Sequence, residues 1–594
     1  MCGIVGYIGK REVQPVLISS LKRLEYRGYD SCGVAILDGA LHIYKTQGTI
    51  KNLEQNLPRN GGHVGIGHTR WATHGKPSET NAHPHSDCSG KVAVVHNGVI
   101  ENFQKLREEL ASEGHLFRSE TDTEVIAHLV EKHFEGDLKE AVKKALAEID
   151  GSYAIVVLHA DCQELVVARK ESPLVVGVGE GEYFIASDVP AILEWTDRVI
   201  YLEDGDIGVI SDGHISITNN GHEAPRQEQR VPWSLEDAQK AGYEHYMLKE
   251  IHEQPKVIRD TLRGCLSTVE PWVNLGLTIE KDTGSILIVA CGTSYHAALV
   301  GKQVIEKLAH IPVKVELASE FNHLDFLPNR TWVIGITQSG ETADTLAALK
   351  KAKGHGLKTL AITNVAGSTA TRLADQTFHI KAGPEICVAA TKSFMAQLVA
   401  MYLLALSFPT DDFKTRREVI SSLRHLGEKV QQVLDREELI AEQASYLSRH
   451  EKAFFIARGI NYPIALEGAL KLKEIAYIYA EGYPAGELKH GPFALLTPET
   501  PVIALFARDG TYNSLLTNIK EIKAREAPVI AVAEEGDREV EKYADFIIRV
   551  PALGPLFTPV VNTVAVQLLT YYAAKERGCP IDKPRNLAKS VTVE

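Results

Sequence analysis

The sequence has no CxxC pair and no zinc-type ligand spacing. Its eight cysteines (2, 32, 88, 162, 265, 291, 387 and 579) are scattered, which excludes a disulfide frame built on paired spacings and fits reduced thiols. No apolar run is long enough to cross a bilayer, and no charged-then-apolar leader opens the chain. A soluble cytoplasmic protein without a membrane partner is therefore expected. Positive charge is in deficit, with 64 Lys and Arg against 77 Asp and Glu and a net charge of −13. That argues against a nucleic-acid partner. No ATP-type P-loop occurs. What is present is a globular composition, 44% apolar, spread over 594 residues. Such a length is too great for one core, so two to four domains are expected.

The chain opens Met1-Cys2-Gly3-Ile4-Val5-Gly6. Loss of the initiator methionine would place a thiol and a free α-amine on one residue, and the amine could then serve as base for its own sulfur. The other reading of Cys2 is a small apolar residue opening a buried strand. Gly3–Ile8 reads as that strand. Val13–Leu24 reads as a helix, with Val13, Val16, Leu17, Leu21 and Leu24 at helical spacing. Three polar loops follow: EYRGYDS (25–31), GHTRWATHG (67–75) running on to NAHPH (81–85), and VVHNG (94–98), which ends an apolar strand in a turn dipeptide. SETDTE (119–124) has capping-box spacing before a helix that begins near Glu124. Strands at 153–158, 165–169, 183–186, 199–202 and 207–210 complete a β-rich layered domain.

Taken singly, Asn97-Gly98 reads as a hairpin turn, Asp122 as a helix cap and Arg70 as a surface ion pair. Together with Cys2 they match the needs of carboxamide opening. Cys2 offers a nucleophile. The Asn97 amide and the Gly98 N–H can form an oxyanion hole. Arg70 can pair with an α-carboxylate and Asp122 with an α-ammonium. CGIVG, LEYRGYDS, HTRWATHG, NAHPH, VHNG and SETDTE, in that order, resemble the class II glutamine amidotransferase domain across residues 2–220. That family is an N-terminal-nucleophile hydrolase with an αββα sandwich. The resemblance implies the roles just given, adds Thr73, His74 and His83 to the glutamine pocket, and makes Trp71 the tryptophan that gates ammonia.

Residues 221–244 are polar and Pro/Gly-containing, which marks a linker. A helix over 245–254 meets Pro255, which leaves a kinked continuation and a restart both open. Beyond it lies a repeat. SILIVACG (285–292) and KAFFIARG (452–459) match, as do WVIGI (332–336) with Gly340 and PVIAL (501–505) with Gly510. The glycine pairs lie 167 and 170 positions apart, so the segment is duplicated. With TLAIT (359–363) and PVIAV (528–532), strands alternate with helices in each copy. That is the pattern of two tandem doubly wound parallel-sheet domains, expected at 245–435 and 436–584, with a tail at 585–594.

Ligands of such sheets sit beyond the carboxyl ends of the strands. In the first copy these ends read CGTS (291–294) and TQSGET (337–342), hydroxyl-rich turns that suit a phosphate; plain helix caps are the other reading. In the second copy Arg508-Asp509-Gly510 lacks the hydroxyls, so phosphate is expected in the first copy alone. Glu467, Lys471 and Glu474 share one helix face, which taken alone reads as a solvated charge ladder. His490 sits in a glycine-bounded turn. Lys589, near the end of the sequence, reads as a frayed charge.

ACGTSY, TQSGETADT, CVAATKSF, ALEGALKLKE, AGELKHGP and PRNLAKSVTVE resemble the tandem sugar-isomerase domains of the glutamine–fructose-6-phosphate aminotransferases, so the likeness covers essentially the whole chain. It implies glutamine and fructose 6-phosphate as substrates and glucosamine 6-phosphate as product. The phosphate would lie on Ser294, Thr337, Gln338, Ser339 and Thr342, with Val388 and Ala588 lining the sugar through their backbone. His490 would open the ring, Lys589 would form a Schiff base, Glu474 would move a proton between C1 and C2, and Lys471 would steady negative charge. Thr337 and Ala390 stand where some relatives have serine. The equivalent of His490 comes from a neighbouring subunit, which implies a homodimer. No cofactor and no metal are implied, and no metal-ligand cluster stands out. The rival readings are a non-enzymatic sugar-phosphate sensor, a phosphoribosyl transferase or amide synthetase fed by the same glutaminase, and a deglycase-like branch of this architecture.

Overall fold

The computed structural model describes residues 2–211, 213–231, 233, 239–267, 272–279, 283–324, 329–409 and 412–592. Residues 232 and 234–238 of the expected linker and 593–594 of the tail lie outside them. The chain divides into two compact units, Met1–Ala238 with Ser590–Glu594, and Gln239–Lys589.

In the first unit Gly3–Ile8 is a fully buried strand. It lies antiparallel between Val64–Arg70 and Tyr183–Ala186 in an eight-stranded sheet. A second, seven-stranded sheet contains Val92–Ile100 and Gly151–His159. Alternation drives the layering. Ile4, Ile66 and Ile185 of the first sheet share one apolar core with Val95 and Val156 of the second. The opposite faces carry helices. Val94 and Ile155 pack with Val125, Ile126 and Val142 from the helices Glu124–His133 and Leu138–Ala147. Helix Val13–Leu24 lies over strand Val64–Arg70, where a Cβ on Gly65 would approach Val13 Cγ2 to 3.0 Å and one on Gly67 would approach Leu21 Cδ1 to 2.9 Å. The result is the αββα sandwich.

Several local expectations are corrected. Asn97-Gly98 is not a turn but lies inside the strand Val92–Ile100. Gly98 holds φ +137°, and a Cβ there would come within 2.0 Å of the Ser152 carbonyl oxygen. Asp122 is not a cap; its Oδ2 accepts from the Ile100 N–H at 2.9 Å. The capping box is only half made: Glu124 reaches back to the N–H groups of Arg118 (2.8 Å) and Ser119 (2.7 Å), while Thr123 at the N-cap makes no side-chain cap bond. Within the expected linker, His222–Glu223 and Glu228–Arg230 are strands, the latter paired with Arg198–Tyr201 at the edge of the first sheet.

The second unit holds two five-stranded sheets, each all-parallel. The first runs in the order Val313–Leu317, Ser285–Ala290, Thr331–Thr337, Lys358–Thr363, Gln376–His379. The second runs Tyr479–Pro484, Lys452–Ala457, Val502–Leu505, Val529–Glu534, Phe546–Val550. The same spatial order in both is the duplication made visible. A single apolar core runs through both copies. Helix Lys392–Ser407 is buried at every position up to Leu406; its polar residues Lys392, Ser393 and Gln397 bond Glu253, Glu385 and Ser294, and the rest of the buried stretch is almost wholly apolar. Ahead of these sheets the chain restarts rather than kinks: Tyr246–His252 ends, and a new helix Gln254–Leu262 takes Pro255 into its first turn, where a missing N–H costs nothing. Among the described residues no helix is long and apolar enough to cross a membrane.

Candidate functional site

Cys2 leads into the central strand of its sheet. Its Sγ accepts from the Trp71 N–H at 3.2 Å, and its carbonyl oxygen accepts from Asn97 Nδ2 at 3.0 Å and Arg27 Nε at 3.1 Å. Asn97 Nδ2 also donates to Ser187 Oγ at 2.8 Å, and Asn97 Oδ1 lies 3.1 Å from His68 Nε2. Burial pushes the Cys2 thiol up, opposed by the Trp71 N–H and by Arg70. Arg70 is buried. Its Nη2 donates to the carbonyls of His74 and Gly75, and its Nη1 has no hydrogen-bond partner. A buried guanidinium nitrogen left unpaired is costly, and a carboxylate is its natural complement. The loop that carries these carbonyls is pinned from below: Asn81 Nδ2 donates to Lys76 O and Glu120 Oε2, both at 3.0 Å.

His83 stacks on His68 with ring centroids 4.1 Å apart. Burial holds His68 down at about 3 and His83 well below the ordinary histidine range, so both are neutral at pH 7. Trp71 is half-buried, its ring edge-on to Tyr29 at 5.8 Å. His74 meets Phe103 edge-on at 5.1 Å, and Thr73 is exposed.

In the second unit the two hydroxyl-rich turns stand at the carboxyl ends of neighbouring strands. Neither is a cap: Cys291 and Thr342 occupy the N-cap positions of the helices Gly292–Ala309 and Ala343–Gly354 without side-chain cap bonds. Thr337 Oγ1 and Thr342 Oγ1 lie 2.8 Å apart, and Thr337 Oγ1 accepts from the Gly340 N–H. Ser339 Oγ accepts from the Glu341 N–H at 3.1 Å. The Gln338 carbonyl accepts from the Asn364 N–H, and Ser294 Oγ accepts from Gln397 Nε2 at 2.9 Å. Gly340, at φ +71°, leaves room for Ser368, whose Oγ lies 2.0 Å from where a Cβ would stand. The corresponding end of the second copy satisfies itself, since Asp509 Oδ1 accepts from both the N–H and the hydroxyl of Thr511.

Glu467, Lys471 and Glu474 do not form a solvated ladder. Glu467 and Lys471 are buried. Lys471 Nζ lies 2.5 Å from Glu474 Oε2 and 3.4 Å from Glu467 Oε1. Glu467 in turn accepts from Thr293 Oγ1 at 3.1 Å and faces His296 Nδ1 at 2.7 Å. Burial works against the Lys471 cation, but the two carboxylates outweigh it and raise its pKa. Nor is Lys589 frayed: its side chain is 5% exposed and its Nζ donates to Glu385, whose side chain is fully buried. Burial of Glu385 is overcome by Lys589 and by hydrogen bonds from Ser393, and its carboxyl sits at about 2. The tail is tied down by the Arg585 N–H to Tyr477 Oη at 2.7 Å, and Val388 N donates to Asp582 O at 3.1 Å. Ala588 is half-buried and His490 is exposed.

Residues 68–194 match the model of a glutamine amidotransferase domain, and 280–407 and 446–577 each match that of a SIS domain. A curated glutamine–fructose-6-phosphate aminotransferase (isomerizing) of Methanosarcina acetivorans is 51% identical, with all of both chains covered. The chain belongs to the glutamine–fructose-6-phosphate aminotransferase family. A relative of the same name from Caldanaerobacter subterraneus subsp. tengcongensis is 50% identical over all of both chains. Among solved structures, the C-terminal domain of glucosamine-fructose-6-phosphate aminotransferase from Francisella tularensis is 38% identical with a TM-score of 0.54, and covers 58% of this chain and all of that domain.

Two buried carboxylates beside Lys589 carried no signal in the sequence. Glu385 lies 204 positions from Lys589. Glu250 sits beside it, its Oε1 accepting from the N–H groups of Ile386 and Cys387 and its Oε2 buried without a partner. Burial and the neighbouring Glu385 charge push Glu250 up to about 8. An unfolded glutamate titrates near 4.3, so between about pH 4.3 and 8 the unfolded chain loses a proton that the folded chain keeps. Stability therefore falls across that window. Glu250→Gln keeps the acceptor and cannot ionise. Its stability relative to the parent is expected to rise from pH 5 to pH 8, read as denaturation midpoints at the two pH values; an equal difference at both would refute the buried acid. Also missed was a cluster of Cys88, His115, His128 and Glu131 whose ligand atoms lie within 4.8 Å of one another. It corrects the expectation that no metal-ligand cluster exists; the four positions share no local spacing motif.

Proposed function

We propose that the chain transfers the amide nitrogen of glutamine to fructose 6-phosphate and isomerises the adduct to glucosamine 6-phosphate, releasing glutamate. Once Met1 is removed, Cys2 carries thiol and amine together, attacks the carboxamide and forms a γ-glutamyl thioester, freeing ammonia; water then releases glutamate. Asn97 Nδ2, exchanging its bond to the Cys2 carbonyl, and the Gly98 N–H take the developing oxyanion. Arg70 Nη1 takes the α-carboxylate and Asp122 the α-ammonium, with Thr73, His74 and His83 around them. Ammonia passes Trp71 to the sugar. Ser294, Thr337, Gln338, Ser339 and Thr342 hold the phosphate, and Val388 and Ala588 line the sugar. His490 opens the ring, and Lys589 forms an imine with the C2 ketone, losing water. Ammonia displaces the lysine, and Glu474, held by Lys471, moves a proton from C1 to C2 to give the aldose. The exposure of His490 supports its supply across a subunit interface, and hence a homodimer. The domains divide as 2–220, 245–435 and 436–584, with 585–594 as an active-site tail.

The observation that carries this reading is the burial of Lys589 on Glu385. A sugar-phosphate sensor has no use for a desolvated amine paired to a buried acid, and burying an ion pair is not a cheap route to stability. The test supplies amide-labelled 15N-glutamine and fructose 6-phosphate and reads the product by mass spectrometry. Labelled glucosamine 6-phosphate is expected. Unlabelled product, or hydrolysis of glutamine without any amino sugar, would overturn the assignment in favour of the deglycase-like or sensor reading.

A further inference from the structure

The amidotransferase unit holds a second group of reactive side chains that the chemistry above does not use. Cys88 lies in the turn between the strands His85–Ser86 and Val92–Ile100. His115 follows helix Phe103–Ser112, where Gly114, at φ +102°, reverses the chain. His128 and Glu131 lie one turn apart on helix Glu124–His133, so both project from one face.

Their contacts form a polyhedron. Cys88 Sγ lies 3.6 Å from His128 Nδ1 and 3.8 Å from His115 Nδ1. Glu131 Oε2 lies 2.9 Å from His115 Nδ1 and 3.4 Å from His128 Nδ1. A tetrahedral zinc with bonds of about 2.0–2.3 Å separates its ligand atoms by about 3.3–3.7 Å. The four measured edges straddle that range, and the remaining two lie within 4.8 Å.

The surroundings are those of a metal thiolate. The Leu116 N–H donates to Cys88 Sγ at 3.3 Å, and the Cys88 N–H donates to Glu131 Oε2 at 3.2 Å. The remote nitrogen of His128, Nε2, is buried without a hydrogen-bond partner and lies 3.8 Å from Glu124 Oε1. At that distance Glu124 makes no hydrogen bond to the ring but places a negative charge behind it, which favours an imidazole bound to a cation. Phe117 holds the His128 ring edge-on at 4.5 Å. Cys88 is exposed and His128 buried, which gives an ion a way in and a rigid seat.

We propose that Cys88, His115, His128 and Glu131 bind one zinc ion per chain as a closed, structural site. One thiolate, two imidazoles and one carboxylate suit zinc better than magnesium or calcium. Four protein ligands leave no open position for catalysis. Binding releases the Cys88 proton and changes no oxidation state. The ion ties the Cys88 turn and the His115 segment to the helix that follows Asp122.

The test uses the full-length, reduced, metal-stripped protein titrated with Zn(II), and with Co(II) as a spectroscopic stand-in. The expected result is a tightly held single equivalent by elemental analysis and an intense sulfur-to-cobalt absorption of tetrahedral type. Cys88→Ser is expected to remove that absorption and weaken zinc by at least about tenfold, with the rate of amino-sugar formation unchanged at ordinary temperature. Independently of any variant, zinc is expected to protect Cys88 of the parent protein from alkylation, read by peptide mass mapping. A parent protein that retains no zinc after dialysis, a cobalt absorption that survives in Cys88→Ser, or a Cys88 alkylated equally fast with and without zinc would each overturn the proposal.

Discussion

Cys2→Ala is expected to abolish glutamine-dependent formation of amino sugar, by on the order of 10⁴-fold or more, as loss of a nucleophile does in other acyl-transfer enzymes. The substitution removes one sulfur that accepts the Trp71 N–H and leaves the Cys2 carbonyl bonds to Asn97 and Arg27 in place. The fold and the glutamine clamp should therefore survive. The measurement pairs glutamate release with circular dichroism and with binding of glutamine to the inactive variant. Full glutamine-dependent turnover in Cys2→Ala would refute the nucleophile. Loss of activity together with loss of fold would reduce Cys2 to a packing residue.

Lys589→Arg is the second large effect. Alanine would confound two losses, because it strands the fully buried Glu385 carboxylate, and breaking a buried pair costs about 3–5 kcal/mol. Arginine keeps a cation opposite Glu385 but cannot act as an amine nucleophile at neutral pH. Amino-sugar formation is expected to fall at least about a hundredfold, the lower range for loss of one positioned catalytic group, while glutamine hydrolysis continues. Borohydride reduction in the presence of fructose 6-phosphate should trap a sugar adduct on the parent tail peptide and not on the variant. An undiminished product rate in Lys589→Arg would reject the imine.

Legibility in the sequence followed the range of the interactions. The parallel strands at 285–290, 331–337, 452–457 and 502–505 are buried on both faces and read as continuous apolar runs. Helix Val13–Leu24 declared itself through spacing alone. Glu228–Arg230, an exposed edge strand, has no apolar face to alternate, so it looked like linker. Asn97-Gly98 misled because the same dipeptide that favours a turn can also give a strand one residue at positive φ, here close against Ser152. Glu385, Glu250 and the Cys88 cluster were invisible because their partners are brought together only by the tertiary fold; a carboxylate's burial leaves no periodic trace. The charges of Glu467 and Lys471 were legible and their setting was not, since a helix face turned toward a sister domain looks, letter by letter, like one turned toward water.

The continuous core of the second unit bears on how this duplicated architecture could have arisen. Helix Lys392–Ser407 has no side fit for solvent, and Glu467 draws its partners Thr293 and His296 from the other copy. Neither half, cut out in its present form, would be a soluble module; each would show an oily flank or an orphaned acid. A single copy with this flank would need an identical twin to cover it, and one polypeptide holding both copies removes the dependence of that cover on concentration.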